Sequence, residues 1–113
     1  MKTVSDDERG MGPANAYVAV LDIARRNTAN EHNFTTAQKD LAYRVRELAQ
    51  AAHTFGKVYP PNFREHKIAV KVAGYRTRDR LSAEYAKLDA VCIANNITAR
   101  LTNNNTTIIY EIK

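Results

Sequence analysis

The sequence predicts an α+β fold in which a helical hairpin precedes a β-α-β-β unit. Two stretches before residue 56 carry apolar side chains at spacings of three and four, the period of an amphipathic helix. Residues 66–73 alternate apolar with polar side chains, as a half-buried strand does. Two β-forming stretches then flank a run of asparagines, which is typical of a turn. We therefore expect a small three-stranded mixed sheet with helices on one face.

The N-terminal part divides into a flexible lead-in and a first helix. Residues 1–12 are polar, acidic and glycine-containing, which favours a flexible segment ahead of a single domain at 13–113. Pro13 suits the first position of a helix, because its missing N–H would be unpaired there. Arg25 and Arg26 suit the last turn of this helix, where positive charge complements the helix dipole.

A second helix follows a polar loop and completes the predicted hairpin. Thr35 or Thr36 is the expected N-cap, and Gly56 is the expected C-terminal stop. Its apolar stripe consists of Leu41, Val45, Leu48 and Ala52. Tyr59-Pro60-Pro61-Asn62 then interrupts regular structure.

A strand and a third helix come next. The strand runs from His66 to Ala73, with a row of apolar side chains and a partly basic opposite face. The helix spans about Arg78 to Asn95, and its predicted core stripe is Leu81, Tyr85, Leu88 and Cys92.

The C-terminal segment predicts a β-hairpin. Its arms are Ile97–Thr102 and Thr106–Ile112, joined at Asn103-Asn104-Asn105, because asparagine tolerates the left-handed backbone of tight turns. We expect the strand at 66–73 and the strand at 97–102 to pair in parallel through a right-handed crossover. The last strand then joins antiparallel, and Thr106–Lys113 is expected to form an open edge.

Composition and charge narrow the classes of function. The chain has 113 residues, a net charge of +5 and a pI of about 9.5, which favours polyanionic partners. The single cysteine, Cys92, cannot form an internal disulfide. The N-terminus lacks the apolar run of a signal peptide, and no segment approaches the about 20 apolar residues of a spanning helix. We therefore expect a cytoplasmic protein without a membrane partner.

The most informative cluster is Arg76-Thr77-Arg78-Asp79-Arg80, at the predicted junction of strand and helix. A helix start already carries unpaired N–H groups and a positive dipole end, so three cations there conflict with local electrostatics unless an anion binds. Lysines on the adjoining strand face and a neighbouring tyrosine extend this cluster toward a phosphate-binding and base-stacking surface. The predicted anion-binding residues are Lys67, Lys71, Tyr75, Arg76, Arg78 and Arg80.

Catalytic, metal and cofactor sites have little support in the sequence. No histidine or cysteine pair has ligand spacing, no nucleophile has an evident base beside it, and no Gly-rich phosphate loop is present. We therefore expect no enzyme, no metal and no cofactor. Glu65-His66-Lys67 resembles the E-x-K pattern of metal-dependent nucleases, with Asp40 or Glu47 as the remote second acid.

Two classes of binding function remain open. The leading hypothesis is a non-enzymatic protein whose Arg/Lys face engages nucleic acid through the phosphate backbone. The alternative is a protein–protein adaptor or inhibitor that docks on an acidic partner, with the C-terminal strand edge as a route to sheet extension or a homodimer. The short chain and its Asn/Thr-rich strands suit a virus- or mobile-element-encoded accessory protein.

Overall fold

The computed structural model describes residues 27–113, and the predicted lead-in and first helix therefore lie outside the described residues. Within 27–113 the fold is α+β, as predicted, with two α-helices and a five-stranded antiparallel sheet. The helices are α1, Thr36–Ala52, and α2, Ala83–Ala94. The strands are β1 (Lys57–Val58), β2 (Asn62–Phe63), β3 (Ile68–Ala73), β4 (Thr98–Thr102) and β5 (Thr107–Ile112).

Helix α1 confirms the second predicted helix and its cap. The Thr35 side chain accepts from the Gln38 N–H at 3.1 Å, and the Gln38 side chain accepts from the Thr35 N–H at 2.8 Å. This reciprocal capping box satisfies two N–H groups that a helix start leaves unpaired. The helix ends at Ala52 with His53 as its C-cap, so Gly56 does not terminate it.

The sheet differs from the predicted three-stranded mixed sheet. Its order is β1-β3-β5-β4, β2 also pairs with β3, and every pairing is antiparallel. Strands β3 and β4 run in the same direction, as predicted, but β5 lies between them and pairs with both. The physical reason is burial: five of the six β5 residues are buried, whereas β4 is exposed along most of its length.

The position of β5 overturns the predicted open edge at Thr106–Lys113. Both sides of β5 are hydrogen-bonded, to β3 and to β4, so this strand has no free edge for a homodimer or for sheet extension. Among the described strands, β4 is the terminal strand on that side of the sheet. The predicted hairpin itself is confirmed, and Asn103, Asn104 and Asn105 all adopt positive φ angles of 53°, 55° and 65°.

Helix α2 begins later than predicted. The segment Thr77–Leu81 is a short 3₁₀ helix, and Ser82 then adopts an extended backbone before α2 starts at Ala83. The Ser82 hydroxyl accepts from the Tyr85 N–H at 3.1 Å, so Ser82 is the N-cap of α2. Leu81 is 88% exposed and is not part of the core stripe, in contrast to Leu88.

The core lies between one face of the sheet and the two helices. That face consists of Ile68, Val70 and Val72 from β3 and Ile108, Tyr110 and Ile112 from β5, and these are paired across the two strands. Four residues of α1 and two of α2 are buried against this core, namely Ala42, Val45, Ala49, Ala52, Leu88 and Cys92. We call the opposite face of the sheet, which carries Ala69, Lys71 and Ala73, the outer face.

Gly56 is needed where the chain enters β1. A Cβ at Gly56 would lie 2.9 Å from Val72 Cγ1 and 3.0 Å from the Ala73 carbonyl oxygen, and the backbone oxygen cannot move aside. Gly74, with a φ of +79°, lies against the Gly56 backbone. The two glycines therefore allow the segment before β1 to cross closely over the end of β3.

We predict that Gly56→Ala lowers the free energy of unfolding by about 1–3 kcal/mol, the usual cost of overpacking. Urea denaturation followed by circular dichroism measures this loss. Thr54→Ala is the matched control, because Thr54 is exposed and a surface change of this kind falls within about 0.5 kcal/mol. Equal stability of the Gly56→Ala variant and the parent protein would contradict the close crossing.

Candidate functional site

Four of the six predicted site residues are exposed, as a binding surface requires. Lys71 lies on the outer face in β3. Arg76 immediately precedes the 3₁₀ segment, and Arg78 and Arg80 lie within it. The remaining two, Lys67 and Tyr75, occupy environments that argue against the predicted roles.

Tyr75 is buried, and the prediction that it stacks on a base or sugar is therefore wrong. Only 7% of the residue is exposed. Its ring packs against the His53 ring, with centroids 5.8 Å apart, and the Arg80 guanidinium lies 5.7 Å from its centroid. Tyr75 is thus a core aromatic residue whose ring makes a cation–π contact with Arg80.

Lys67 is neutralised by a carboxylate, which corrects its predicted role as a phosphate contact. Its Nζ lies 2.8 Å from Glu111 Oε2, and Arg100 Nη2 lies 3.3 Å from the same oxygen. Hydrogen bonds from Lys67 and then Arg100 hold the pKa of Glu111 below its ordinary value, against the opposing effect of burial. Both cations therefore share one buried carboxylate, although the side chains of Lys67 and Arg100 stay 38% and 51% exposed.

We call residues 76–80 the arginine turn. The sequence suggested that backbone N–H groups of this turn face an external anion, but the Arg76 N–H has a partner inside the protein. The Arg76 N–H donates to Asp79 Oδ2 at 3.3 Å, so a carboxylate of the turn itself occupies the place of that anion. The N-terminus of α2 is a separate feature, capped by Ser82. Any contact between these arginines and an anion would therefore be made by their side chains rather than by a helix dipole.

Asp79 is itself anchored in the core by His53. Asp79 is 6% exposed and His53 is 1% exposed, and Asp79 Oδ2 lies 3.0 Å from His53 Nδ1. His53 Nε2 lies 2.8 Å from the Tyr110 hydroxyl. An ionised carboxylate can only accept, so His53 Nδ1 is the donor to Asp79. The chain Asp79–His53–Tyr110 therefore ties the arginine turn to α1 and to β5.

Aromatic rings and cations meet along the β1 edge of the sheet. The Arg76 guanidinium lies 4.7 Å from the centroid of the Phe55 ring, and Phe55 is 65% exposed. The ammonium groups of Lys57 and Lys71 both lie 5.2 Å from the centroid of the Tyr59 ring. We call these five residues the aromatic-basic stripe.

The backbone explains why the aromatic-basic stripe is continuous. The crossing of Gly56 and Gly74 brings Phe55 to the end of β3, next to Arg76. Lys57 pairs with Ala73, and the Tyr59 N–H donates to the Lys71 carbonyl at 2.9 Å. Residues that lie between 12 (Tyr59 and Lys71) and 21 (Phe55 and Arg76) positions apart in sequence therefore meet along one edge of the outer face.

In the part of the chain that the structure describes, no neighbouring acid balances the charge of the stripe. Within residues 27–113, no carboxylate lies at ion-pair distance from Lys57, Lys71 or Arg76. The same holds in this part of the chain for Arg78 and Arg80, whose nearest acid in sequence, Asp79, is turned toward His53. These five cations therefore have no acidic partner among residues 27–113.

Sequence reasoning missed Phe55, Lys57 and Tyr59. Lys57 and Tyr59 alternate with Val58, and this alternation could have been used to predict a short strand. The signal was obscured because β1 has only two residues and Pro60-Pro61 follows it. Their pairing with Lys71 depends on the register of β1 against β3, which no local pattern reveals.

The E-x-K pattern does not form a metal-binding cluster in the described part of the chain. The side chains of Glu65 and His66 are 78% and 88% exposed, and Lys67 belongs to the Glu111 ion pair. Residues 27–113 contain no group of three His, Cys, Asp or Glu side chains able to hold a metal ion. Burial raises the pKa of the Cys92 thiol to about 11, which leaves it protonated at neutral pH.

Comparison with known proteins assigns no relatives. No family model matches the chain, and no curated protein or solved structure shows significant similarity to it. Across residues 27–113, none of the helices has the length and apolar character needed to cross a membrane. Inference about function therefore depends on the geometry of the chain itself.

We predict that the stabilising effect of Glu111 disappears in acid. Because the folded pKa of Glu111 is depressed, its contribution is fully present above its ordinary pKa of 4.5 and is lost as the pH falls through the folded pKa. The difference in unfolding free energy between the parent protein and Glu111→Gln should therefore shrink below about pH 4.5. Urea denaturation at a series of pH values measures it.

Glu84→Gln is the control for this pH series, because Glu84 is exposed on α2 and makes no ion pair within the described residues. A difference between the parent protein and Glu111→Gln that stays constant from neutral to acidic pH would contradict the proposed ion-pair contribution.

Proposed function

We propose that this protein binds single-stranded nucleic acid along the aromatic-basic stripe, without catalysing a reaction. The observation that supports the proposal is the pairing of Phe55 and Tyr59 with cations that lack acidic partners in the described chain. An aromatic ring offers a stacking platform to any base, and a neighbouring cation contacts the phosphate.

Single strands fit this surface better than duplexes do. A base can stack on an exposed ring only when it is already unstacked, as it is in a single strand or a loop. The stripe follows a sheet edge, and the described residues present no recognition helix that suits a major groove. In contrast, a duplex would offer the stripe phosphates alone.

The residues of the stripe have two different roles in the proposed binding. Phe55 and Tyr59 supply the stacking platforms, and Lys57, Lys71 and Arg76 supply the phosphate contacts. Arg78 and Arg80 extend the positive surface along the 3₁₀ segment. Compared with the site predicted from the sequence, Phe55, Lys57 and Tyr59 are gained, while Lys67 and Tyr75 are no longer included.

We predict that Lys71→Ala and Tyr59→Ala weaken oligonucleotide binding in different ways. Each phosphate contact contributes about −0.7 to the slope of log K against log salt for a single strand, so Lys71→Ala should flatten the slope by about 0.7. Tyr59→Ala removes a stacking platform, which costs about 1–3 kcal/mol and leaves the slope nearly unchanged. Fluorescence anisotropy of a labelled oligonucleotide at several salt concentrations measures both.

Lys87→Ala is the matched control for charge, because Lys87 is exposed on α2 and does not belong to the stripe. It should change the affinity and the slope less than Lys71→Ala does. Equal effects of the two lysine substitutions would indicate nonspecific attraction. Absence of binding by the parent protein at low salt would reject the proposed function.

A second candidate function is docking of a protein partner at β4. Among the described strands, β4 pairs only with β5, and four of its five residues are exposed. Leu101 is 37% exposed beside a groove between α2 and the sheet, and Ile93 on α2 is 73% exposed. An unpaired strand edge beside apolar side chains suits an added strand from a partner protein.

We predict for this candidate that a discrete partner protein copurifies from nuclease-treated lysate and is lost with Leu101→Lys, because a charge in the groove opposes docking. Mass spectrometry of the captured proteins measures the difference. Ala90→Lys is the matched control, since it adds the same charge at an exposed position of α2. Retention that is unaffected by Leu101→Lys, or that disappears with nuclease, would contradict docking at β4.

A further inference from the structure

A cavity of about 200 Å³ opens on the outer face next to the aromatic-basic stripe. Ala69, Lys71 and Ile109 line it from the paired strands β3 and β5. Tyr59 and Asn62 line it from the β1–β2 segment, which pairs with the other side of β3. The cavity therefore shares Tyr59 and Lys71 with the stripe.

Two carboxamide side chains line this cavity, those of Asn27 and Asn62, and both residues are half-buried. Neither side-chain amide has a hydrogen-bond partner within residues 27–113. Other asparagines of the same region do have one: Asn30 donates to the Phe63 carbonyl, and Asn95 donates to the Val91 carbonyl. Partly buried amides that lack a partner among the described residues suit a ligand that supplies both a donor and an acceptor.

The remaining lining matches the other parts of a nucleotide. Ala69 and Ile109 form an apolar floor, the Tyr59 ring provides an aromatic wall, and Arg64 and Lys71 carry positive charge. The volume is below the about 300–1,000 Å³ that is typical of small-molecule pockets, so it suits one ring system rather than a complete cofactor.

We propose that this cavity binds one unstacked base of the single strand, and that it selects adenine. A carboxamide donates to and accepts from adenine at the same time, and this bidentate pair is the characteristic contact between asparagine and adenine. Asn62 is the principal reading residue because β2 holds its backbone against β3, and Asn27 assists it. The inference rests on the proposed single-strand binding and adds base selectivity to it.

The test compares homopolymeric oligonucleotides of about 12 nucleotides built from deoxyadenosine, deoxythymidine or deoxycytidine. Fluorescence anisotropy should show that the parent protein binds the adenine polymer at least about fivefold more tightly than the other two, the lower end of what one bidentate contact supplies. Asn62→Ala should remove this preference and leave the affinity for the thymidine and cytidine polymers within about twofold. Gln50→Ala, which removes an exposed amide from α1, should keep the preference.

A measurement on the parent protein makes the test independent of variant folding. In ¹H–¹⁵N spectra, the side-chain amide signals of Asn62 should shift on addition of the adenine polymer and shift less on addition of the thymidine polymer. Equal affinity for all three polymers, or a preference that survives Asn62→Ala, would overturn the base pocket and leave single-strand binding intact. Failure of the parent protein to bind any polymer would overturn both proposals.

Discussion

A buried chain of hydrogen bonds from Asp79 through His53 to Tyr110 sets the arrangement of the fold across residues 27–113. Its three residues belong to the arginine turn, the end of α1 and the central strand β5, which are far apart in sequence. Burying such groups without partners would cost about 1–3 kcal/mol for each neutral group, and more for the carboxylate. The three parts must therefore meet with the correct geometry. Hydrogen bonds have angular requirements, so they specify the relative positions of these parts, which apolar packing alone would not specify.

This internal chain also explains why the surface arginines remain available. Asp79 is surrounded in sequence by Arg78 and Arg80, and a solvent-exposed carboxylate there would neutralise them. Because Asp79 turns inward to His53 and caps the Arg76 N–H, the guanidinium groups keep their charge at the surface. A comparable separation occurs on the outer face, where Glu111 holds Lys67 and Arg100 and leaves Lys71 beside Tyr59. Among the described residues, these two buried acids thus determine which cations have an acidic partner and which do not.

The candidate site was predictable only in part, and the reasons are physical. Arg76, Arg78 and Lys71 could be predicted from the sequence. A charged side chain in a turn, or on the polar face of an alternating strand, is expected to point toward solvent. Tyr75 and Lys67 have the same local pattern, but contacts with distant parts of the chain change their roles. A core contact buries Tyr75, and Lys67, which stays partly exposed, gains Glu111 as an acidic partner. Phe55 and Tyr59 join the site through a glycine crossing and a strand register, which are long-range features.

Local sequence patterns were enough to predict the N-cap of α1, the alternating strand β3 and the hairpin that turns at three asparagines, and composition alone gave the excess of positive charge. The three structural elements depend on interactions between residues a few positions apart, which local chemistry specifies. The place of β5 between β3 and β4, and the 3₁₀ segment that His53 anchors, became evident from the folded chain alone. Both features depend on contacts between residues that are distant in sequence. Which apolar surfaces and buried polar groups pair depends on all the contacts of the fold together, and no local pattern reveals it.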